Sequence, residues 1–173
     1  MIYEPAEDSF LLQKYVEKYA FGKVLDIGSG SGIQAEAALK KTKNILAVDI
    51  NKEAVKLLKG KGINSKYSDL FSNVKGKFDL IIFNPPYLPE EEKEDLETKL
   101  VTTGGKYGYE ILERFFKNAK KFLNKNGKIL IVFSSLTNKK KVDSLIKKYG
   151  FKFKLLEEKG LFFERLYVYL VFL

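Results

Sequence analysis

At 173 residues the chain has the length of one domain with a substantial core, and its 45% apolar content is that of a soluble protein. It contains neither Cys nor His, which excludes a thiol nucleophile, a disulfide, a Cys-based zinc site, an imidazole base and a Ser-His triad. The formal charge of +9 is almost wholly Lys, with Arg only at positions 114 and 165; it suits an acidic partner such as RNA or an anionic cofactor, and equally the Lys- and Glu-rich composition of heat-adapted proteins.

No stretch approaches the roughly 20 apolar residues needed to cross a bilayer. The acidic start, Met1 to Asp8, lacks the basic and apolar regions of a signal peptide. A cytoplasmic protein without membrane attachment is therefore expected.

In chain order, Pro5 to about Tyr19 places Phe10, Leu11, Leu12, Tyr15, Val16 and Tyr19 at helical spacing behind a polar start at Asp8 and Ser9, read as capping residues. Lys23–Ile27 is a short buried strand running into Gly28-Ser29-Gly30-Ser31-Gly32, and Ile33–Lys41 follows as a helix. Asn44–Asp49 predicts a second strand ending in a carboxylate, and Glu53–Lys61 a helix closed by Gly60 and Gly62. Ile63–Ser68 reads as a third strand at or near an edge, leading to Asp69 and Leu70. Phe78–Phe83 is the fourth strand and stops at Asn84-Pro85-Pro86-Tyr87, because consecutive prolines cannot extend a ladder.

Leu88 to about Lys106 has no convincing period and is expected to be a substrate loop near the strand ends. Tyr109–Leu123 predicts an amphipathic helix, Asn126-Gly127 a turn, Lys128–Ser134 a fifth strand and Val142–Tyr149 a helix. Phe151–Leu156 and Leu161–Leu173 complete the chain as an antiparallel pair. Strands alternating with helices imply an α/β fold, a mostly parallel, doubly wound sheet with an antiparallel C-terminal hairpin, in a single domain spanning 1–173.

In such a sheet the ligand lies beyond the carboxyl ends of the central strands. A dinucleotide loop reads Gly-x-Gly-x-x-Gly and faces a pyrophosphate. Here the spacing is Asp26-x-Gly28-x-Gly30-x-Gly32, and the leading carboxylate would repel a diphosphate but attract an ammonium. S-adenosylmethionine has that ammonium, a sulfonium and no phosphate. Asp49 is placed for the ribose hydroxyls, Asp69 for the adenine amine and Leu70 for the ring. No metal is required.

At Asn84-Pro85-Pro86-Tyr87 a side-chain carbonyl, a backbone carbonyl held by stiff prolines and a flat π-face suit a planar group bearing NH2. Asn84, Pro85 and Tyr87 are thus the candidate catalytic groups, and Asn84, Pro85, Pro86 and Tyr87 the candidate substrate contacts. An amide nitrogen is a poor nucleophile, and hydrogen bonds from its protons to Asn84 and the Pro85 carbonyl would raise its electron density without a strong base.

With these residues the chain resembles the class I S-adenosylmethionine-dependent methyltransferases, whose fold is Rossmann-like and seven-stranded. Asn84-Pro85-Pro86-Tyr87 is similar to the motif of N-methyltransferases acting on amide or exocyclic amino nitrogens. The segment from Tyr3 to Leu12, together with Gly104-Gly105-Lys106-x-Gly108, resembles the HemK-related release-factor glutamine methyltransferases of the archaeal and eukaryotic type. That resemblance implies methylation of the glutamine in the Gly-Gly-Gln tripeptide of a translation termination factor, and a small zinc-binding activator partner covering an apolar edge. It implies Ser9, Asp26 and Gly28 at the methionine part of the cofactor, under an N-terminal helix (1–20), with Asn84 at the substrate amide. The chain departs from the group in its short 69–77 segment and in Thr102-Thr103. The alternatives are an adenine-N6 or guanine-N2 methyltransferase acting on nucleic acid, a lysine methyltransferase, or a non-catalytic cofactor-binding subunit.

Overall fold

The computed structural model describes residues 2–87 and 102–173. Seven strands form one sheet in the order β3-β2-β1-β4-β5-β7-β6, comprising β1 (Val24–Ile27), β2 (Ile45–Asp49), β3 (Ser65–Tyr67), β4 (Phe78–Phe83), β5 (Leu123–Ser134), β6 (Lys152–Gly160) and β7 (Arg165–Phe172). The first five run parallel, whereas β7 is antiparallel to β5 and to β6. Strand order reverses between β1 and β4, which opens a crevice beyond their carboxyl ends.

Alternation along the buried strands sends side chains into two cores. Val24, Ala47, Leu80, Ile82, Leu130 and Val132 face α1 (Glu7–Tyr19), α2 (Ile33–Leu39) and α3 (Lys52–Gly60). Leu25, Ile27, Val48, Ile81, Phe83, Ile129, Ile131 and Phe133 face α4 (Glu110–Ala119) and α5 (Lys139–Lys148). The second core is rich in aromatic rings, with Phe83 stacked on Phe115 at 4.6 Å and Phe133 edge-on to Tyr169 at 4.9 Å. The exposed edge strand β6 carries Lys152, Lys154, Glu157, Glu158 and Lys159, charges that discourage further strand pairing.

The short 69–77 segment is turns, not a helix. Three local expectations are corrected. Asp8 and Ser9 do not cap α1: the N-cap is Ala6, without a side-chain bond, and both polar residues are buried within the first turn. The helix expected to Leu123 ends at Ala119, a short 3₁₀ turn follows, and Leu123 opens β5 opposite Phe78. Asn126-Gly127 lies inside β5, at a register shift that leaves no room for a side chain: a Cβ on Gly127 would stand 2.8 Å from the Phe78 carbonyl oxygen. The substrate loop expected over 88–106 falls largely on 88–101, outside the described residues. Among the described residues no helix is long and apolar enough to cross a membrane.

Asp79 fastens the amino end of the sheet, accepting from the Lys23 N–H at 2.7 Å and from Asn124 Nδ2 at 2.6 Å, so it ties β4 both to the chain entering β1 and to the β5 irregularity. Asp79→Ala should cost about 2–3 kcal/mol of stability in urea denaturation. Asn84, at the opposite end of β4, should be undisturbed, and the loss should add independently to that of a substitution there.

Candidate active site

Beyond the carboxyl ends of β1, β2 and β4 lies a cavity of about 450 Å³. Ser9, Gly28, Gly30, Asp49, Asp69, Leu70, Asn84, Pro85, Pro86 and Tyr87 line it. Asp26 lies buried at the end of β1, outside the lining residues. Gly32 also lies off the cavity wall; it faces α3, where a Cβ would meet Leu58 at 2.7 Å.

The glycine loop is tied to β2. The Gly28 and Ser29 N–H groups both donate to the Val48 carbonyl, at 2.8 and 3.1 Å. The Gly30 N–H donates to Asp49 Oδ2 at 2.8 Å from a left-handed backbone (φ 50°) that favours glycine. The Asn51 N–H takes Asp49 Oδ1 at 2.7 Å, so the carboxylate is fixed in orientation and retains lone pairs for hydroxyl donors. Burial raises the Asp49 pKa, against the pull of these N–H groups. Asp26 is fully buried, its Oδ2 has no hydrogen-bond partner among the described residues, and burial pushes its pKa up to about 7, with Asp49 nearby adding to the rise.

A second carboxylate network holds the proline motif. Asp8, 3% exposed, accepts from Tyr3 Oη at 3.1 Å, from the Ser9 N–H at 2.6 Å, from Asn84 Nδ2 at 3.1 Å and from Tyr87 Oη at 3.4 Å. Burial first, and then the Asp8 charge, raises the pKa of both tyrosines, so their hydroxyls stay protonated and donate. This arrangement fixes the Asn84 amide, because the reversed amide would set its oxygen against the carboxylate. Its Oδ1 is left buried without a partner among the described residues. The backbone behind it is braced as well: Thr137 Oγ1 donates to the Tyr87 carbonyl at 3.0 Å, and Gly104 packs so closely that a Cβ would come within 2.7 Å of the Pro86 carbonyl oxygen.

Elsewhere along the wall Asp69 is paired with Arg114 at 2.7 Å, which occupies its Oδ2. Leu70 holds an unusual left-handed backbone (φ 48°), its carbonyl accepting from Ser68 Oγ at 2.8 Å. Gln34, 4% exposed, donates Nε2 to the Ser9 carbonyl at 2.9 Å and leaves its Oε1 without a partner among the described residues.

Asp8, Tyr3, Gln34 and Arg114 are among the cavity residues to which the sequence reading gave no site role, although Tyr3 and Asp8 lie in the segment that carried the family resemblance. A signal for two of them existed. Asp8 shares a helical stripe with Leu11, Leu12 and Tyr15, and Gln34 with Ala37 and Ala38, so each is a polar residue on a core-facing side.

The model of the methyltransferase small domain family matches residues 7–163. The chain belongs to that family. It is 45% identical over 176 positions to a Methanocaldococcus jannaschii protein named as a protein N5-glutamine methyltransferase, with 96% of this chain and 89% of that one covered. It is 30% identical to methyltransferase HEMK2 of Mus musculus, over 86% of this chain and 79% of that one. Among solved structures, E. cuniculi Mtq2 in its complex with Trm112 superposes with a TM-score of 0.81 at 24% identity, covering 98% and 97% of the two chains, a likeness of fold. The seven-stranded Rossmann-like architecture is thus that of a methyltransferase.

The buried Asp26 of this methyltransferase gives stability a pH dependence. An unfolded Asp ionises near its ordinary value of about 3.9, whereas the folded one holds its proton up to about 7. The folded state therefore binds more protons between those values, and stability should fall as pH rises from about 4 to about 7, then level off. Asp26→Asn should lose less stability over that interval in thermal melts of the cofactor-free protein; an equally steep decline would assign the dependence to other groups.

Proposed function

We propose that this methyltransferase uses S-adenosylmethionine to methylate the side-chain amide nitrogen of a glutamine, and that its acceptor is the Gly-Gly-Gln tripeptide of a translation termination factor. The observation that carries the reading is the Asn84 carbonyl, buried at the cavity with both neighbouring donors accounted for and its own acceptor capacity unused. Support comes also from the named relatives, including a release factor glutamine methyltransferase of Borreliella burgdorferi, 32% identical over 77% of this chain and 52% of that one.

The cavity chemistry fits the cofactor. Gln34 Oε1, an acceptor without a partner among the described residues, suits its ammonium, with Ser9, Gly28 and Gly30 alongside and Asp26 buried behind the cavity wall. Asp49 suits the ribose diol, and Leu70 and Asp69 the adenine, with Asp69 already braced by Arg114. When bound, S-adenosylmethionine supplies an electrophilic methyl group. The chain's own residues do the rest: Asn84 Oδ1 and the Pro85 carbonyl accept the two protons of the acceptor amide, which draws electron density onto its nitrogen and fixes its approach. Tyr87, its hydroxyl tied to Asp8, offers the ring against which the planar amide lies. No side-chain base is called for, and the surplus proton leaves to water after transfer.

In this reading the enzyme is a cytoplasmic single domain whose N-terminal segment (1–20) covers the cofactor. The 88–106 segment bears on the acceptor, and from it Thr102, Thr103 and Gly105 reach the cavity wall. The described fold-mate Mtq2 is paired with Trm112. A small zinc-binding activator is proposed here also, and the exposed apolar residues Ile50, Leu57 and Tyr67 beside the β3 edge support an apolar docking edge.

The test is methyl transfer to a purified class I termination factor and to the same factor with its tripeptide glutamine replaced, each with and without such an activator. Transfer to the first alone is expected; transfer to RNA or DNA instead, weakening steeply with salt, would favour the nucleobase reading. Asn84→Ala should lower kcat at least about 100-fold while S-adenosylhomocysteine affinity stays within about twofold. Asp8→Asn, which relaxes the orientation of Asn84 without touching the acceptor, should lower kcat about tenfold with little change in KM.

A further inference from the structure

The turn between β6 and β7 presents Phe162 and Phe163 at 92% and 86% exposure, edge-to-face with ring centroids 4.5 Å apart. Two adjacent phenylalanines held out in water are an unfavourable arrangement for a free surface, and their position gives them a use. Because β7 runs antiparallel to β5, its first residue stands at the carboxyl end of the parallel strands, the same end that bears Asn84. β7 is two strands from β4, a lateral distance of about 10 Å.

The turn is fastened to the active-site side of the molecule. Glu164 accepts from Ser134 Oγ, the Arg165 N–H donates to Ser135 Oγ at 3.0 Å, and the Leu161 N–H closes on the Glu164 carbonyl at 2.8 Å. Two residues past Ser135, Thr137 bonds the Tyr87 carbonyl, so one short stretch joins the turn to the proline motif. Leu136, 46% exposed, lies between these anchors. The Glu164 charge also raises the pKa of Tyr3 and Tyr87, after burial and Asp8.

We propose that Phe162 and Phe163, with Leu136, form a docking surface for the polypeptide that carries the acceptor glutamine, gripping an apolar side chain at least about three residues from it. This rests on the protein-glutamine reading of the site. A glutamine side chain can enter the cavity, but the chain bearing it must run across the rim. An extended chain covers about 10 Å in three residues, the lateral spacing of β4 and β7, so the turn beyond β7 meets a chain at least three residues from the glutamine. The charges flanking the turn are already paired, Lys159 with Glu7 and Arg165 with Glu158, so the turn offers no free phosphate cradle and its grip is apolar. The activator proposed above belongs beside β3, at the opposite edge of the sheet.

The experiment compares the wild-type protein with Phe162→Ser/Phe163→Ser and with Phe162→Leu/Phe163→Leu, using a purified termination factor as acceptor. The serine pair should raise KM for the factor at least tenfold, leaving kcat, melting temperature and S-adenosylhomocysteine affinity close to wild type, and the leucine pair should restore most of the loss. An unchanged KM in the serine pair overturns the proposal, whether or not that variant also loses self-association, activator capture or RNA binding, any of which would reassign the turn. Absence of transfer by the wild-type protein itself would overturn the substrate reading, and this docking proposal with it.

Discussion

The site depends on one buried carboxylate. Asp8 collects donors from Tyr3, Ser9, Asn84 and Tyr87, and by taking the NH2 of Asn84 it leaves the amide's carbonyl without a partner among the described residues. A carboxylate withdrawn from water is tolerated only when its lone pairs are filled. Two of the donors that fill them, Asn84 and Tyr87, belong to the proline motif, so the cost of burying Asp8 and the orientation of Asn84 are one arrangement. It also joins the two ends of the site, because Asp8 and Ser9 come from α1 and Asn84 from the end of β4.

Around that link the sheet supplies rigidity and the loops supply chemistry. β1 and β4 are buried and paired on both sides, so the residues that follow them are fixed in position. The glycine loop lies against β2 through the Val48 carbonyl and the Asp49 carboxylate, and Gly104 and Thr137 brace the proline motif from its far side. Among the described residues Asp26, Gln34 and Asn84 each keep a buried acceptor without a partner, polar atoms that a folded protein ordinarily satisfies, and Gln34 and Asn84 line the cavity.

Much of this was legible in the sequence, for physical reasons. The apolar run Phe78–Phe83 ending at two prolines could only be a buried strand that stops there, and its bounds agree with the structure. Of the carboxylates read at successive strand ends, Asp49 and Asp69 line the cavity and Asp26 does not, and the last two apolar runs gave the antiparallel pair. The misses share a cause, since periodicity reports which face is apolar and says nothing about polar partners distant in sequence. It could not pair Asp69 with Arg114, nor turn Asp8 from a supposed cap into the centre of the network. The apolar spacing through Phe122 and Leu123 extended a helix past its end, because an apolar pair suits the last turn of a helix and the first residues of a strand equally well.

The most direct measurement is a crystal structure of the protein with S-adenosylhomocysteine and a peptide containing the Gly-Gly-Gln tripeptide. The account predicts the glutamine Nε2 within hydrogen-bond distance of Asn84 Oδ1, with Asn84 Nδ2 still on Asp8. A glutamine bound elsewhere, or an Asn84 amide turned so that its nitrogen meets the acceptor, would contradict it.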